Sequence, residues 1–164
     1  PGAGQVFISE NLASLFAISG KKTLLVDADL RKGHLAKKFG IDGNTGLSQI
    51  LLHNEPIDSA ICKTTVENLE LIPCGETPSN PAELLSSKRY LMVIEELAKR
   101  YDLVVINTPS LALAADAISA CRAASQIAMV LESKKHSIEA IKNGAAQLRM
   151  SNADAHVSVV LNKC

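Results

Sequence analysis

Three short segments carry residue types that could handle phosphate and a divalent cation. The first, Pro1-Gly2-Ala3-Gly4-Gln5-Val6, runs straight into an apolar helical pattern carrying Phe7, Ile8, Leu12 and Ala13. Glycines at 2 and 4 let the backbone curl, so that its N–H groups and the helix N-terminus behind them can cradle phosphate. A complete phosphate loop ends Gly-Lys-Ser or Gly-Lys-Thr. Here Gln5 stands where the lysine belongs and Val6 where the hydroxyl belongs. On this segment alone, a glycine-rich turn capping a helix explains the residues equally well.

The second segment follows the run Thr23 to Asp27 (TLLVD) and reads Asp27-Ala28-Asp29-Leu30-Arg31. Two acids at alternate positions leaving a buried strand are costly unless they meet a cation or hydrogen-bond donors. A capping aspartate would explain Asp29, but not both acids together with Arg31. A magnesium nucleotide at the carboxyl end of the strand explains all three. The third segment is Leu103 to Asn107 (LVVIN), followed by Thr108-Pro109. In phosphate-loop enzymes an apolar strand of this kind ends in an aspartate that holds the metal shell. This one ends in Asn107, whose amide can accept a hydrogen bond from a metal-bound water but brings no charge.

The elements that must position these loops alternate between strand and helix. Strands are expected at Thr23–Asp27, Leu69–Ile72, Leu103–Asn107, Gln126–Leu131 and Val157–Leu161, the fullest of them apolar enough for burial on both faces. Helices are expected at about 5–19, 46–52, 81–100 with a break near Ser86, 112–123 and 137–150. In Tyr90 to Arg100, Leu91, Ile94, Leu97 and Ala98 share one face, while Glu95–Lys99 and Glu96–Arg100 pair on the other. The alternation predicts an α/β fold: one domain over 1–164, three layers, with a doubly wound, mostly parallel sheet. Ligands of such sheets sit at the carboxyl ends of the strands. A phosphate loop ordinarily follows a strand, so an apolar strand is expected ahead of Pro1.

Composition narrows the functional classes. The chain has 164 residues, 47% of them hydrophobic and 3% aromatic, enough for an aliphatic core. A formal net charge of +0 removes the broad attraction that nucleic acid requires. Cys62, Cys74, Cys121 and Cys164, with His34, His53, His136 and His156, show no metal-ligand spacing and read as scattered, reduced side chains. No stretch is long and apolar enough to span a bilayer.

At this point a family resemblance enters. LLVDADLRKGHLAKKFG (24–40) resembles the second Walker-type motif of the bacterial tyrosine kinases, the cytoplasmic autokinases of capsule and exopolysaccharide synthesis. Gly46-Leu47-Ser48, NLELIPCGETPSNPAELLSS (68–87), YDLVVINTPS (101–110) and VVLNK (159–163) follow in that family's order and spacing. The resemblance implies a P-loop NTPase fold of the deviant-Walker kind. It also implies ATP and Mg2+ as cofactors, and transfer of the γ-phosphate to tyrosines clustered in a C-terminal tail, usually on a neighbouring subunit of a ring. A further implication is a membrane-embedded polysaccharide co-polymerase segment or chain as partner, at the inner face of the bacterial plasma membrane. Carried over by motif, Gly2, Ala3, Gly4, Gln5 and Val6 occupy the phosphate loop. Asp27 matches the principal metal and catalytic acid, and Asp29 its companion near the acceptor. Asn107 takes the third motif's aspartate position, and Asn162 lies near the adenine edge.

The departures from the family pattern shape the functional expectation. Gln5 cannot offset the charge that develops on transferring phosphate, Val6 cannot coordinate magnesium, and Asn107 removes a negative charge from the metal's surroundings. The tyrosine-rich tail is not present, and Tyr90 and Tyr101 both fall inside regular elements. The expectation is a kinase-like domain with a degenerate nucleotide site, weakly active or inactive, serving as a scaffold or regulator. The alternatives are an active ATP-dependent tyrosine autokinase, or a membrane-associated ATPase switch that is not a kinase.

Overall fold

The protein is described by a computed structural model covering residues 4–111, 114–133, 135 and 137–163. Its centre is strand β1 (Thr23–Asp27), which runs parallel to β3 (Leu69–Ile72) on one side and β4 (Leu103–Asn107) on the other. All five β1 residues are buried, as the unbroken apolar run requires of a strand covered on both faces. Leu24 and Val26 face a core shared with Tyr90, Val93, Ile94 and Leu97 of α5 (Lys88–Arg100). Leu25 faces the opposite core, shared with Ala13 and Ala17 of α1 (Gln5–Ile18) and with Leu71 and Val105 of the flanking strands. Alternation along one strand therefore feeds two hydrophobic layers, giving the helix–sheet–helix architecture. A two-residue strand, β2 (Cys62–Lys63), closes the outer edge antiparallel to β3; it is too short to leave a periodic signal in sequence.

The helical break falls one residue from where the sequence places it. α4 (Pro81–Ser86) ends before Ser87, whose backbone is extended and whose hydroxyl accepts from the Tyr90 N–H at 3.2 Å to start α5. The buried face of α5 is Tyr90, Val93, Ile94 and Leu97, so Ala98 lies outside it and is exposed. Two helices lie at the carboxyl ends of the strands: α2 (Leu35–Phe39), which the sequence did not suggest, and α3 (Leu47–His53).

The expected single sheet is two. β5 (Gln126–Glu132) pairs in parallel with β6 (His156–Asn162), separately from the order β2-β3-β1-β4. Beside β5 lies a cavity of about 390 Å³, bordered by Thr108 and Leu111 beyond β4 and by Gly144 of α7 (Ile138–Ser151). Consecutive residues Ile127 to Leu131 all line it, which is how a strand presents an unpaired edge rather than a face. α6 (Ala114–Cys121) leads from the loop after β4 into β5.

Candidate nucleotide site

Parallel pairing of β1 and β4 sets Asp27 opposite Asn107 at the carboxyl end of the sheet. Both are buried, at 0% and 2% exposure. Asn107 Nδ2 donates to Asp27 Oδ1 at 3.0 Å, and Ser9 Oγ donates to Asn107 Oδ1 at 3.3 Å. Because a carboxylate only accepts, the amide turns its NH2 toward Asp27, while the single Ser9 hydroxyl proton is shared between Asn107 Oδ1 and the Val6 carbonyl at 3.1 Å. Asp27 receives two backbone donors as well: Asp29 N to Oδ1 at 3.3 Å and Leu35 N to Oδ2 at 3.1 Å. Burial raises the Asp27 pKa above its ordinary value. The Asn107 amide and the Leu35 and Asp29 N–H groups pull it part of the way back, and the nearby Asp29 charge raises it further.

Asp29 sits two residues on and is 6% exposed. Its carbonyl closes the turn by accepting from Lys32 N at 3.2 Å and Gly33 N at 3.0 Å. Its Oδ1 is buried and has no hydrogen-bond partner among the described residues. A buried carboxylate oxygen in this state suits a cation or a hydroxyl brought by a ligand. Gly33 adopts φ 53°, and a methyl built there would overlap Cys74 Sγ, so the loop rests directly on that thiol. The Cys74 pKa is pushed up to about 11 by burial and by the Asp27 and Asp29 charges.

The phosphate-loop residues divide. Gly2 and Ala3 lie outside the described residues. Gly4 precedes the first turn of α1 with φ 95°, a conformation that favours glycine, and its carbonyl accepts from Ile8 N at 2.9 Å. A methyl on Gly4 would overlap the side-chain amide of Asn162, so the end of β6 lies against the loop. The first and last motifs of the sequence therefore meet in space. Gln5 borders the cavity beyond β4, and half-buried Val6 packs on the cluster of Ala13, Leu25 and Val105. An apolar residue at position 6 thus contributes to the core in place of offering a hydroxyl.

Three participants escaped the sequence reading. Ser9 carries no motif signal, and Cys74, although inside the family segment 68–87, reads only as a scattered reduced cysteine. Asp116, a 2% exposed acid in the first turn of α6, takes Arg31 Nε on Oδ2 at 2.5 Å and Arg31 Nη2 on Oδ1 at 3.3 Å. A lone acid within an otherwise apolar helical run was the one available hint.

A phosphate-type loop entering a helix, with an acidic loop leaving the adjacent parallel strand, defines the P-loop nucleotide-binding class of α/β folds. The chain matches the AAA domain family over residues 1–155. It is 33% identical to the tyrosine-protein kinase wzc of Salmonella typhimurium over 162 residues, 99% of this chain and 22% of that protein. Among solved structures it resembles the BceF tyrosine kinase domain (36% identity, TM-score 0.85, all of this chain and 66% of that one). It also resembles the chimerical protein CapA2B2 (32% identity, TM-score 0.91, all of this chain and 72% of that one). The chain belongs to the bacterial tyrosine-kinase family. It spans about a fifth of the length of a curated relative such as wzc, at 22%.

Proposed function

We propose that this domain serves capsular or exopolysaccharide synthesis and export as a kinase-like scaffold or regulator whose nucleotide site is degenerate. The observation that carries the reading is the Asn107–Asp27 hydrogen bond. Two facing carboxylates repel and call for a metal between them. An amide facing a carboxylate supplies its donor from within the protein, so Asp27 has three protein donors that offset part of the cost of burying its charge.

The residues fit a magnesium nucleotide in part. Gly4 and the N–H groups of the first α1 turn offer a phosphate cradle, Asn162 borders it, and buried Asp29 Oδ1 has no donor among the described residues. When bound, magnesium supplies charge neutralisation at the phosphates. Gln5 contributes at most a neutral hydrogen bond there, Val6 is committed to packing, and Asp27 already accepts three hydrogen bonds, which leaves it little capacity for a cation. These features support weak binding and slow or absent transfer.

Tyr90 and Tyr101 are poor acceptors. They are 0% and 7% exposed, and their hydroxyls donate to the Ala120 carbonyl at 2.9 Å and to Glu70 Oε2 at 2.5 Å. An acceptor tyrosine would come from another segment or another chain. The cavity beside β5 suits the apolar strand expected ahead of Pro1. No helix among the described residues is long and apolar enough to cross a membrane, so the reading places the domain at the inner membrane face through a membrane-embedded partner segment or chain.

The buried Asp29 oxygen, which has no donor among the described residues, favours one second reading, an active autokinase that tolerates its substitutions. Incubation with magnesium and γ-labelled ATP, in the presence of a tyrosine-rich acceptor peptide, separates the two. The scaffold reading expects no phosphotyrosine above a control lacking enzyme. Steady, enzyme-dependent labelling would establish the kinase instead.

A further inference from the structure

Asp27, Asp29 and Asp116 are 0%, 6% and 2% exposed. Arg31 ties the two segments that carry them, bonding to Asp116 and lying within the field of Asp29. Buried carboxylates of this kind need donors or a cation to stay folded in place. Asp27 has the Asn107 amide and two backbone N–H groups. Asp116 has the forked guanidinium of Arg31 and the N-terminal turn of α6.

Arg31 differs from an ordinary surface partner in what it joins. Its side chain is 45% exposed, yet Asp116 on the other side of the bond is 3% exposed. The bond fastens the loop after β1 to a helix 85 residues further along the chain. That helix is itself anchored at its far end. Tyr90 Oη donates to the Ala120 carbonyl at 2.9 Å, and Asn152 Nδ2 donates to the carbonyls of Cys121, Arg122 and Ala124 at 3.2, 3.2 and 2.8 Å. The acidic loop is therefore tied at Asp27 to β4 and at Arg31 to a fixed strut, with Asp29 between the ties.

We propose that Arg31, acting through Asp116, is the positioning residue of the acidic loop, holding residues 28–35 and the Asp29 carboxylate in place with protein groups alone before any nucleotide or cation arrives. Two charged nitrogens meet two carboxylate oxygens, so the fork and not merely the charge does the holding. This deepens the scaffold reading and rests on it only in what the loop is for: a loop ordered without nucleotide presents the same surface whether or not ATP is present.

The test is amide hydrogen exchange on the whole chain without nucleotide, comparing wild type with Arg31→Ala, Arg31→Lys and Asp116→Asn. The Lys32, Gly33 and Leu35 amides should be protected in wild type and exchange at least about tenfold faster in Arg31→Ala and Asp116→Asn. Arg31→Lys, which keeps the charge and loses the fork, should fall between. The amides of β3 and α5 report whether each variant keeps its fold; if Arg31→Ala loses it, the comparison rests on Arg31→Lys. Loop rates within about twofold of wild type in the folded variants overturn the proposal. So does a wild-type loop that exchanges freely and gains protection only with magnesium ATP. Because exchange is read without nucleotide, phosphotyrosine formation in the earlier assay would defeat the scaffold reading and leave this result standing or falling by itself.

Discussion

Asn107 Nδ2 lies 3.0 Å from Asp27 Oδ1, at directly paired positions of β4 and β1. The far side of the amide, Asn107 Oδ1, lies 3.3 Å from Ser9 Oγ, whose hydroxyl also reaches the Val6 carbonyl at 3.1 Å. A strand register set by hydrophobic burial thus brings a neutral donor, and not a second carboxylate, up to Asp27.

Replacing Asn107 by aspartate should restore that need. The variant loses a hydrogen bond to a charged group and gains like-charge repulsion, a cost of about 1.5–3 kcal/mol. For a domain of this size that is a Tm lower by roughly 3–12 °C in chelator. Millimolar magnesium should recover most of the loss in Asn107→Asp and leave wild type unmoved, as thermal unfolding with and without magnesium would read. Equal melting of both proteins in chelator contradicts the account.

Asp27 also predicts a pH dependence of definite sign. Its folded pKa is raised above the ordinary 3.8, chiefly by burial. Between these two values the folded state holds more proton than the unfolded, so stability falls as pH rises through that window. Asp27→Asn removes this contribution. Denaturant unfolding of both proteins from pH 3 upward should show wild type losing ground relative to Asp27→Asn above the ordinary value, by at most about 1.4 kcal/mol per pH unit. A difference curve that rises would reverse the sign.

The contact between Gly4 and Asn162 can be read as a coupling. Gly4→Ala meets both the φ of 95° and the Asn162 amide, and should cost about 2–3 kcal/mol. Adding Asn162→Ala to it should recover roughly 1 kcal/mol, because one of the two obstacles is gone. Strict additivity in chemical denaturation would mean that the end of β6 does not abut the loop.

Gln5→Lys with Val6→Thr should raise ATP affinity. A charge-assisted bond of about 1.5–3 kcal/mol replaces a neutral one of about 1, a gain of roughly two- to thirtyfold. Val6→Thr also places a hydroxyl against Leu25 and Val105, so some stability should be lost. Fluorescent-nucleotide titration beside thermal unfolding measures both; no gain in affinity would mean that position 5 does not face phosphate.

Much of this arrangement could be read from sequence because burial writes it there. The structure gives both TLLVD and LVVIN as the expected strands; Thr23–Asp27 is buried throughout, whereas in Leu103–Asn107 only Val105 and Asn107 are fully buried and the other three are half-buried. The family motifs likewise led to Asp27, Asp29 and Asn107. The Asn107–Asp27 bond could not be read, since it joins residues 80 apart in sequence through the register of two strands. Asp116 escaped for the same reason: its partner is fixed by the packing of α6, which no local pattern encodes. β2 and α2 are too short for periodicity to register, and the split of the sheet at β4 and β5 depends on pairing rather than composition.

The most direct test of the central claim is calorimetric titration of the domain with ATP, in magnesium and in chelator. With Asp27 already accepting from Asn107 and two backbone N–H groups, affinity should be no tighter than millimolar and should change by less than about threefold between the two conditions. Micromolar binding that depends on magnesium would show that the cation displaces the Asn107 amide readily, and would contradict a site closed by that bond.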